Sequence, residues 1–573
     1  MLDAIVVTAY ALTSFGLYRD LWLGLPTSYL VDSGRDQDLF EWFFAVQARA
    51  LAHGDLVLYS DLQNHPGGVN LMGNTAMPGL ALPLAPVTWL FGPTATWAVV
   101  LTLGLAGTAT GWYWLFSRHL VRSPWAAAVG GATCAFAPPV ISHAHAHPNF
   151  TAMFLLPVIV IWLLRLTRAP SPRTAVRDGL VLGLLVGWQV LIGEEPLLIL
   201  ATGLAVYLLV WAVLRPSAML AGARAALPGL GAGVAVTALL VGYPLWVQFT
   251  GPASYHALRH GPAGNDLASL GALPRQSVGG QLLHPGQAVD NPTEQNAFLG
   301  WPLLVLLAVV IVWLWRELPA RLASITGLLT LALSLGSPVF ADARSTGIPG
   351  PWWLLHRLPL YESLIEARLT FACVPAMGML LALACDRVLR RRPRVLLGPL
   401  TSRRLWFASL ALAVLPVLPV RFAVQPRLPT PAYFTDGQWS HDVRPGRAIV
   451  PVPLPGVDDA RALHWQVATG FGFPIAEGYF VGPAGPRHEG TYGAEHRPTS
   501  QLLAGVAATG VVPPVGPAQR TNAVTDLRYW RADAVVLADH PRRDALRATV
   551  EALLGPGQER GGVEVWDVRG LVG

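Results

Sequence analysis

Residues 25–75 read LPTSYLVDSGRDQDLFEWFFAVQARALAHGDLVLYSDLQNHPGGVNLMGNT. They form a polar, acidic island between the apolar run 4–24 and the apolar runs 76–92 and 94–116. Inside the island, Asp36 stands where it caps a helix expected over about residues 37–53. Leu39, Phe40, Phe43, Phe44, Val46 and Ala50 fall apart from Glu41, Gln47 and Arg49, as in a helix lying along a membrane surface. Asp36 and Asp38 then sit at its N-terminus. A carboxylate there is either a response to the helix dipole or a reactive group at the lipid boundary.

A bilayer crossing takes about 20 mainly apolar residues. Runs of that kind occur at 4–24, 94–116, 126–141, 150–166, 179–193, 196–214, 228–249, 298–315, 322–336, 368–386 and 405–422, eleven in all. The run 76–92 is broken by Pro78, Pro83 and Pro86 and reads as a short helix at or dipping into the membrane. Only 13% of the 573 residues are charged, about half the share of a soluble protein. That excludes a disordered chain and a single soluble domain. Charge then divides the chain: the last 151 residues carry 29 charges and the first 422 carry 45. Residues 1–422 read as an α-helical polytopic membrane domain, and 423–573 as a water-soluble one. In the latter, RAIVPVPLP (447–455), DAVVLAD (533–539) and VEVWDVR (563–569) have the pattern of buried strands, and RRDALRATVEALLG (542–555) that of an amphipathic helix. A small α/β domain is expected. The aromatic, glycine-rich stretch 465–480 suits either sugar stacking or a core.

All 40 basic residues are Arg. The absence of Lys excludes Schiff-base chemistry and a Walker-type phosphate loop. Cys134, Cys373 and Cys385 lie in apolar runs and form no metal or disulfide pattern. With the N-terminus inside, inner loops collect 17 Arg, among them Arg390, Arg391, Arg392 and Arg394 in the 387–404 loop. Outer loops hold Arg35, Arg49, Arg259, Arg275, Arg344 and Arg357, with Arg368 at a border. Acidic residues show the opposite bias, Asp290 and Glu294 among them. The expected topology puts 25–75 and 423–573 outside. The net charge of +6 thus follows the membrane, not a nucleic acid.

An aspartate pair after the first span, a surface helix, many spans and an outer C-terminal domain resemble the GT-C superfamily of membrane glycosyltransferases. HPGGVNLMGNTAMPGLALPLAPVTWLFGPTATW (65–97) and AFAPPVISHAHAHPNF (135–150) are similar to segments of a bacterial GT-C-like family, over about residues 25–215. GEEP (193–196) departs from the aromatic residues usual in that family's next loop. The resemblance implies a bacterial plasma-membrane enzyme that moves a hexose or pentose from a polyprenyl-phosphate donor to an extracytoplasmic glycan, lipid or protein, with inversion. It implies Asp36, then Asp38, as the catalytic acid. The alternatives are a transporter or flippase of an envelope lipid or glycan, or a non-catalytic relative.

Such a transfer needs a carboxylate to take the acceptor's proton and cations to meet the leaving phosphate. Without Lys, Arg must do the latter, through its bidentate fork. Arg368, in YESLIEARLTF (361–371), is the expected donor-phosphate ligand, and Arg35 the alternative. Glu194 and Glu195, at the outer end of a span, are candidates for acceptor hydroxyls. His143, His145 and His147 alternate with Asn149, and His145, His147 and Asn149 are expected to line the site. A divalent cation is compatible with these residue types and not required by them; no residue is assigned to one.

Overall fold

The computed structural model describes residues 1–283, 291–390 and 399–572. Asp290, Arg391, Arg392 and Arg394 lie outside the described residues. Each of the eleven apolar runs contains a helix, from Leu2–Leu17 to Pro399–Val414. Among the described residues, five helices are long and apolar enough to cross a membrane: Pro93–His119, Pro172–Ile192, Glu194–Leu214, Pro216–Thr250 and the stretch Glu366–Arg390. Leu2–Leu17, Leu155–Leu166, Trp301–Leu314 and Leu318–Leu333 are shorter apolar helices. The proline-broken run 76–92 folds as two short helices, Pro78–Ala81 and Ala85–Phe91.

Glycines let two of the long helices touch backbone to backbone. A Cβ added at Gly179 would lie 2.0 Å from the Gly229 carbonyl oxygen, and one at Gly183 2.5 Å from that of Gly233. This small-residue seam is how helices approach where lipid supplies no hydrophobic drive. Outward-facing Leu180, Leu184, Val234 and Leu239 are exposed on the same pair, as lipid-facing side chains are.

The expected surface helix runs Gly34–Ala52, and two sequence expectations fail on it. Ser33, not Asp36, occupies the N-cap, and Asp36 lies in the first turn. The helix also does not rest on lipid. Phe40, Trp42, Phe43, Phe44 and Val46 are buried around its circumference. Trp42 donates from Nε1 to Gln466 Oε1 at 2.9 Å, and Phe40 stacks on Trp97 at 5.7 Å. The helix is thus clamped between the C-terminal domain and the helix Pro93–His119. A helix apolar on nearly every side is stable only when covered on every side.

The C-terminal part of the chain, residues 423–572, carries a four-stranded sheet. Its strands, in spatial order, are Gln558–Arg560, Val563–Asp567, Ala532–Leu537 and Ala448–Val452. Only the last two run parallel. Arg543–Leu554 covers it through Leu546 and Val550. Most of the large side chains of the stretch 465–480 are core: Phe471, Phe473, Ile475 and Phe480 are buried. The domain is fastened to the first loop by an antiparallel pairing of Ser28–Leu30 with Val424–Pro426.

The Arg asymmetry makes the topology testable. The native cysteines are all buried, so new ones report cleanly. Cysteines at the exposed positions Asp61 and Ser440 are expected to react with an impermeant maleimide added outside intact cells. Cysteines at the exposed Ser171 and Ser217 are expected to react only after permeabilisation. Labelling at Ser171 in intact cells overturns the orientation.

Candidate functional site

Six chain segments supply the candidate site: those of Asp36, His143–His147, Glu195, Glu294, Arg368 and Tyr479. Asp36 comes from the first turn of Gly34–Ala52. The Tyr479 hydroxyl, from the C-terminal domain, donates to Asp36 Oδ1 at 2.8 Å. Burial raises the Asp36 carboxyl above its ordinary value; the Tyr479 hydrogen bond and the charges of Arg35 and Arg368 oppose that rise, and Glu294 adds to it. A carboxylate raised in this way is a stronger base than an exposed one.

Arg368 is the centre of a partly buried ion cluster. It donates to both oxygens of Glu195 at 2.7 and 2.9 Å and grips Glu294 through Nε, at 3.1 and 3.3 Å, and through Nη2. Its guanidinium lies 5.2 Å from the centre of the Phe150 ring. Burial alone would push the Glu294 carboxyl up. Arg368 and His143 outweigh it and hold that carboxyl well below the usual range. The fork expected to bind phosphate is therefore already closed by two carboxylates.

His143 and His147, four residues apart, face each other with their Nδ1 atoms 2.8 Å apart. His143 Nε2 lies 2.9 Å from Asn296 Oδ1 and 3.4 Å from Glu294. The alternating pattern expected of an extended strand is absent because 138–143 is helical and the chain then turns. That turn sends His145 elsewhere: its ring lies 6.0 Å from Phe422, and neither nitrogen has a hydrogen-bond partner among the described residues. Burial lowers the His145 pKa to about 4 and holds that of His147 well below its ordinary value, the latter helped by His143 and Arg368. Asn149 is buried with its Cβ against Gly193. Glu194 accepts from Gln248 Nε2 at 2.8 Å, on the side away from Arg368's pairs.

Asp38 is not part of this centre. It is 2% exposed and accepts from the Tyr29 hydroxyl at 2.8 and 2.9 Å. Arg427 approaches it at 3.8 Å while binding Glu41 at 2.8 Å. Two residues along a helix turn the side chain to another face, so Asp36 meets the site and Asp38 a closed ion cluster. Arg35 is exposed, donating to the Val457 carbonyl at 2.7 Å. Glu294, His143 and Tyr479 were not among the expected site residues. Glu294 carried one signal, an acid in an outer loop just before a span.

One sidedness follows for pH. Removing the Tyr479 hydrogen bond lets burial act on Asp36 unopposed by it. Tyr479→Phe is therefore expected to move the acid limb of the pH–rate profile upward, with a smaller loss at alkaline pH than at neutral pH. An unmoved limb would detach Asp36 from catalysis.

His143, His147 and Glu294 place one donor atom each within 4.8 Å of one another. Two imidazoles and a carboxylate suit a divalent transition metal, and facing Nδ1 atoms are a pair that a cation relieves.

No family model matches the chain, and no curated protein sequence does. Solved structures do. The Archaeoglobus fulgidus oligosaccharyltransferase tethered to an acceptor peptide aligns over 96% of this chain and 71% of its own, at 14% identity and TM-score 0.51. Arabinofuranosyltransferase AftD from Mycobacteria aligns over 99% of this chain and 41% of its own, at 14% identity and TM-score 0.52. The chain thus spans about two fifths of the length of AftD. ArnT from Cupriavidus metallidurans bound to undecaprenyl phosphate aligns over 100% and 99%, at 15% identity and TM-score 0.43. The likeness along nearly the whole chain gives this protein the fold shared with the Archaeoglobus oligosaccharyltransferase and AftD.

Proposed function

We propose that the chain is a membrane glycosyltransferase that uses a polyprenyl-phosphate sugar and acts on an extracytoplasmic acceptor. One observation carries the reading: a half-buried, hydrogen-bonded Asp36 feels the charges of an Arg–Glu–His cluster, and an apolar cavity is walled by residues that neighbour that cluster in sequence. That cavity, about 500 Å³, is lined by Met153, Ile199, Tyr207, Phe371 and Pro375 among others. Phe371 and Pro196, on its wall, adjoin Arg368 and Glu195 in sequence. An isoprenoid tail fits such a surface, and its phosphate would then emerge beside the cluster.

Asp36 takes the proton of the acceptor hydroxyl as that oxygen attacks the anomeric carbon. The bond from carbon to phosphate oxygen breaks, polyprenyl phosphate leaves, and a single displacement inverts the anomeric centre. Glu195 and Glu294 are held in place by Arg368 and support the sugar's developing positive charge. Because Arg368 is engaged, the leaving phosphate falls to other cations. Arg259, His260, His356 and Arg357 line an outer pocket of about 630 Å³ with Trp352 at its side. His260 packs 6.3 Å from Tyr492, linking that pocket to the centre. A cation on His143, His147 and Glu294 would add charge stabilisation to the same phosphate.

The test is turnover by the purified chain in nanodiscs, with radiolabelled polyprenyl-phospho-pentose and -hexose donors and glycan or lipid acceptors. Label is expected to pass to an acceptor with release of polyprenyl phosphate. If every donor remains intact while labelled lipid changes leaflet, the chain is a lipid flippase.

A further inference from the structure

A second pocket, of about 340 Å³, lies away from the reaction centre and shares no lining residue with it. Its walls include Tyr29, Arg461, His464, Trp465 and Asp539, with the turn Gly561–Gly562 at the rim. We propose that it is a carbohydrate-binding site for a neutral sugar unit.

Its position is the first ground. The strands Ala448–Val452 and Ala532–Leu537 are the parallel pair of the sheet, and Asp539 follows the carboxyl end of the second. Arg461 and His464 belong to the helix Arg461–Ala468, which follows the carboxyl end of the first. In open α/β sheets the crevice outside the carboxyl ends of parallel strands is where ligands bind. The volume is at the small end of ligand pockets, about 300–1,000 Å³.

Its chemistry is the second ground. Trp465 stacks on Phe434 at 4.8 Å and is thereby fixed as a plane. Tyr29 is pinned by its hydrogen bonds to Asp38. Rigid aromatic faces beside mixed donors and acceptors match a sugar's C–H face and hydroxyl edge. Arg461 is held by Asp459 at 2.6 to 3.0 Å and by the Asp539 carbonyl at 3.0 Å. Its charge is thus offset. Asp539 is exposed at the pocket, and its side chain makes no hydrogen bond among the described residues, so its carboxylate is open as an acceptor. An open carboxylate beside a neutralised guanidinium disfavours phosphates and favours hydroxyl donors. Burial lowers the His464 pKa to about 4, keeping the ring neutral.

The rim is built for close approach. Gly561 and Gly562 have φ of +52° and +83°. A Cβ at Gly561 would lie 2.3 Å from the Tyr433 backbone nitrogen, so glycine lets the rim turn pack directly on the Tyr433 backbone.

The inference concerns binding and stands without the transfer reaction. The test uses the full chain in nanodiscs, with methyl α-arabinofuranoside, methyl α-mannopyranoside and α-1,6-mannobiose as probes, followed by saturation-transfer NMR and calorimetry. At least one neutral glycoside is expected to bind. Thr430→Trp, which fills the pocket, and Asp539→Ala are expected to weaken it at least tenfold with unchanged melting temperature. Asp36→Asn is expected to bind as the native chain does, which separates this site from the reaction centre. Equal binding by Thr430→Trp overturns the proposal, as does a pocket that takes inorganic phosphate or a nucleotide and no neutral glycoside.

Discussion

Asp36→Asn is expected to reduce transfer by about 100- to 10,000-fold, the usual contribution of a positioned general base. The amide keeps the carboxylate's shape and still accepts the Tyr479 hydroxyl, which now stands 2.8 Å from Oδ1. It cannot take a proton. Because Ser33 holds the N-cap position, the substitution removes only a first-turn charge from the helix. That interaction is worth about 0.3–1 kcal/mol. Activity and stability should therefore separate: a large kinetic loss, and a melting temperature within a few degrees of native. Parallel loss of both would make Asp36 a structural residue.

The opposite separation is expected at Arg427. Its side chain is 3% exposed, bound to Glu41 and lying 4.3 Å from the centre of the Tyr29 ring. Asp38 and Glu41 are 2% and 1% exposed. Arg427→Ala strands two carboxylates in the interior, and removing one partner of a buried pair costs about 3–5 kcal/mol. The loss should appear as a lower midpoint of thermal unfolding, because the cluster ties the aspartate helix to the strand that begins the C-terminal domain. Arg427→Leu combined with Glu41→Leu and Asp38→Asn should recover much of it, since no uncompensated charge is left. An Arg427→Ala chain as stable as native would show the cluster to be solvated. In the same way Asp38→Asn should disturb stability more than Asp36→Asn does, the reverse of their expected effects on rate.

The helices and the C-terminal strands were legible because each is written in a local period. Apolar runs of membrane length and the strand DAVVLAD need no partner to be recognised. The site was legible only where chemistry sat at a chain landmark. Asp36 follows the first span, and Arg368 and Glu195 stand at span ends. What escaped was set by tertiary packing. The sequence placed the 34–52 helix on lipid because lipid and protein cover apolar residues alike; Trp42 bonding Gln466, 424 residues on, has no local signature. Arg368 looked like a free phosphate fork until Glu195 and Glu294 arrived from segments 173 and 74 residues distant. His145 was grouped with His147 by alternation, whereas a helical turn pairs His147 with His143.

The most direct measurement is a cryo-EM map of the chain in a nanodisc with a polyprenyl-phosphate sugar bound. The isoprenoid should lie along the cavity walled by Met153, Ile199 and Phe371, with the phosphate between the Arg368 cluster and the Arg259–Arg357 pocket and the sugar's anomeric carbon within reach of a hydroxyl held by Asp36. Lipid density confined to the outer faces of the helices, with Asp36 still sealed against Tyr479 and no sugar nearby, would contradict a glycosyl-transfer centre at this place.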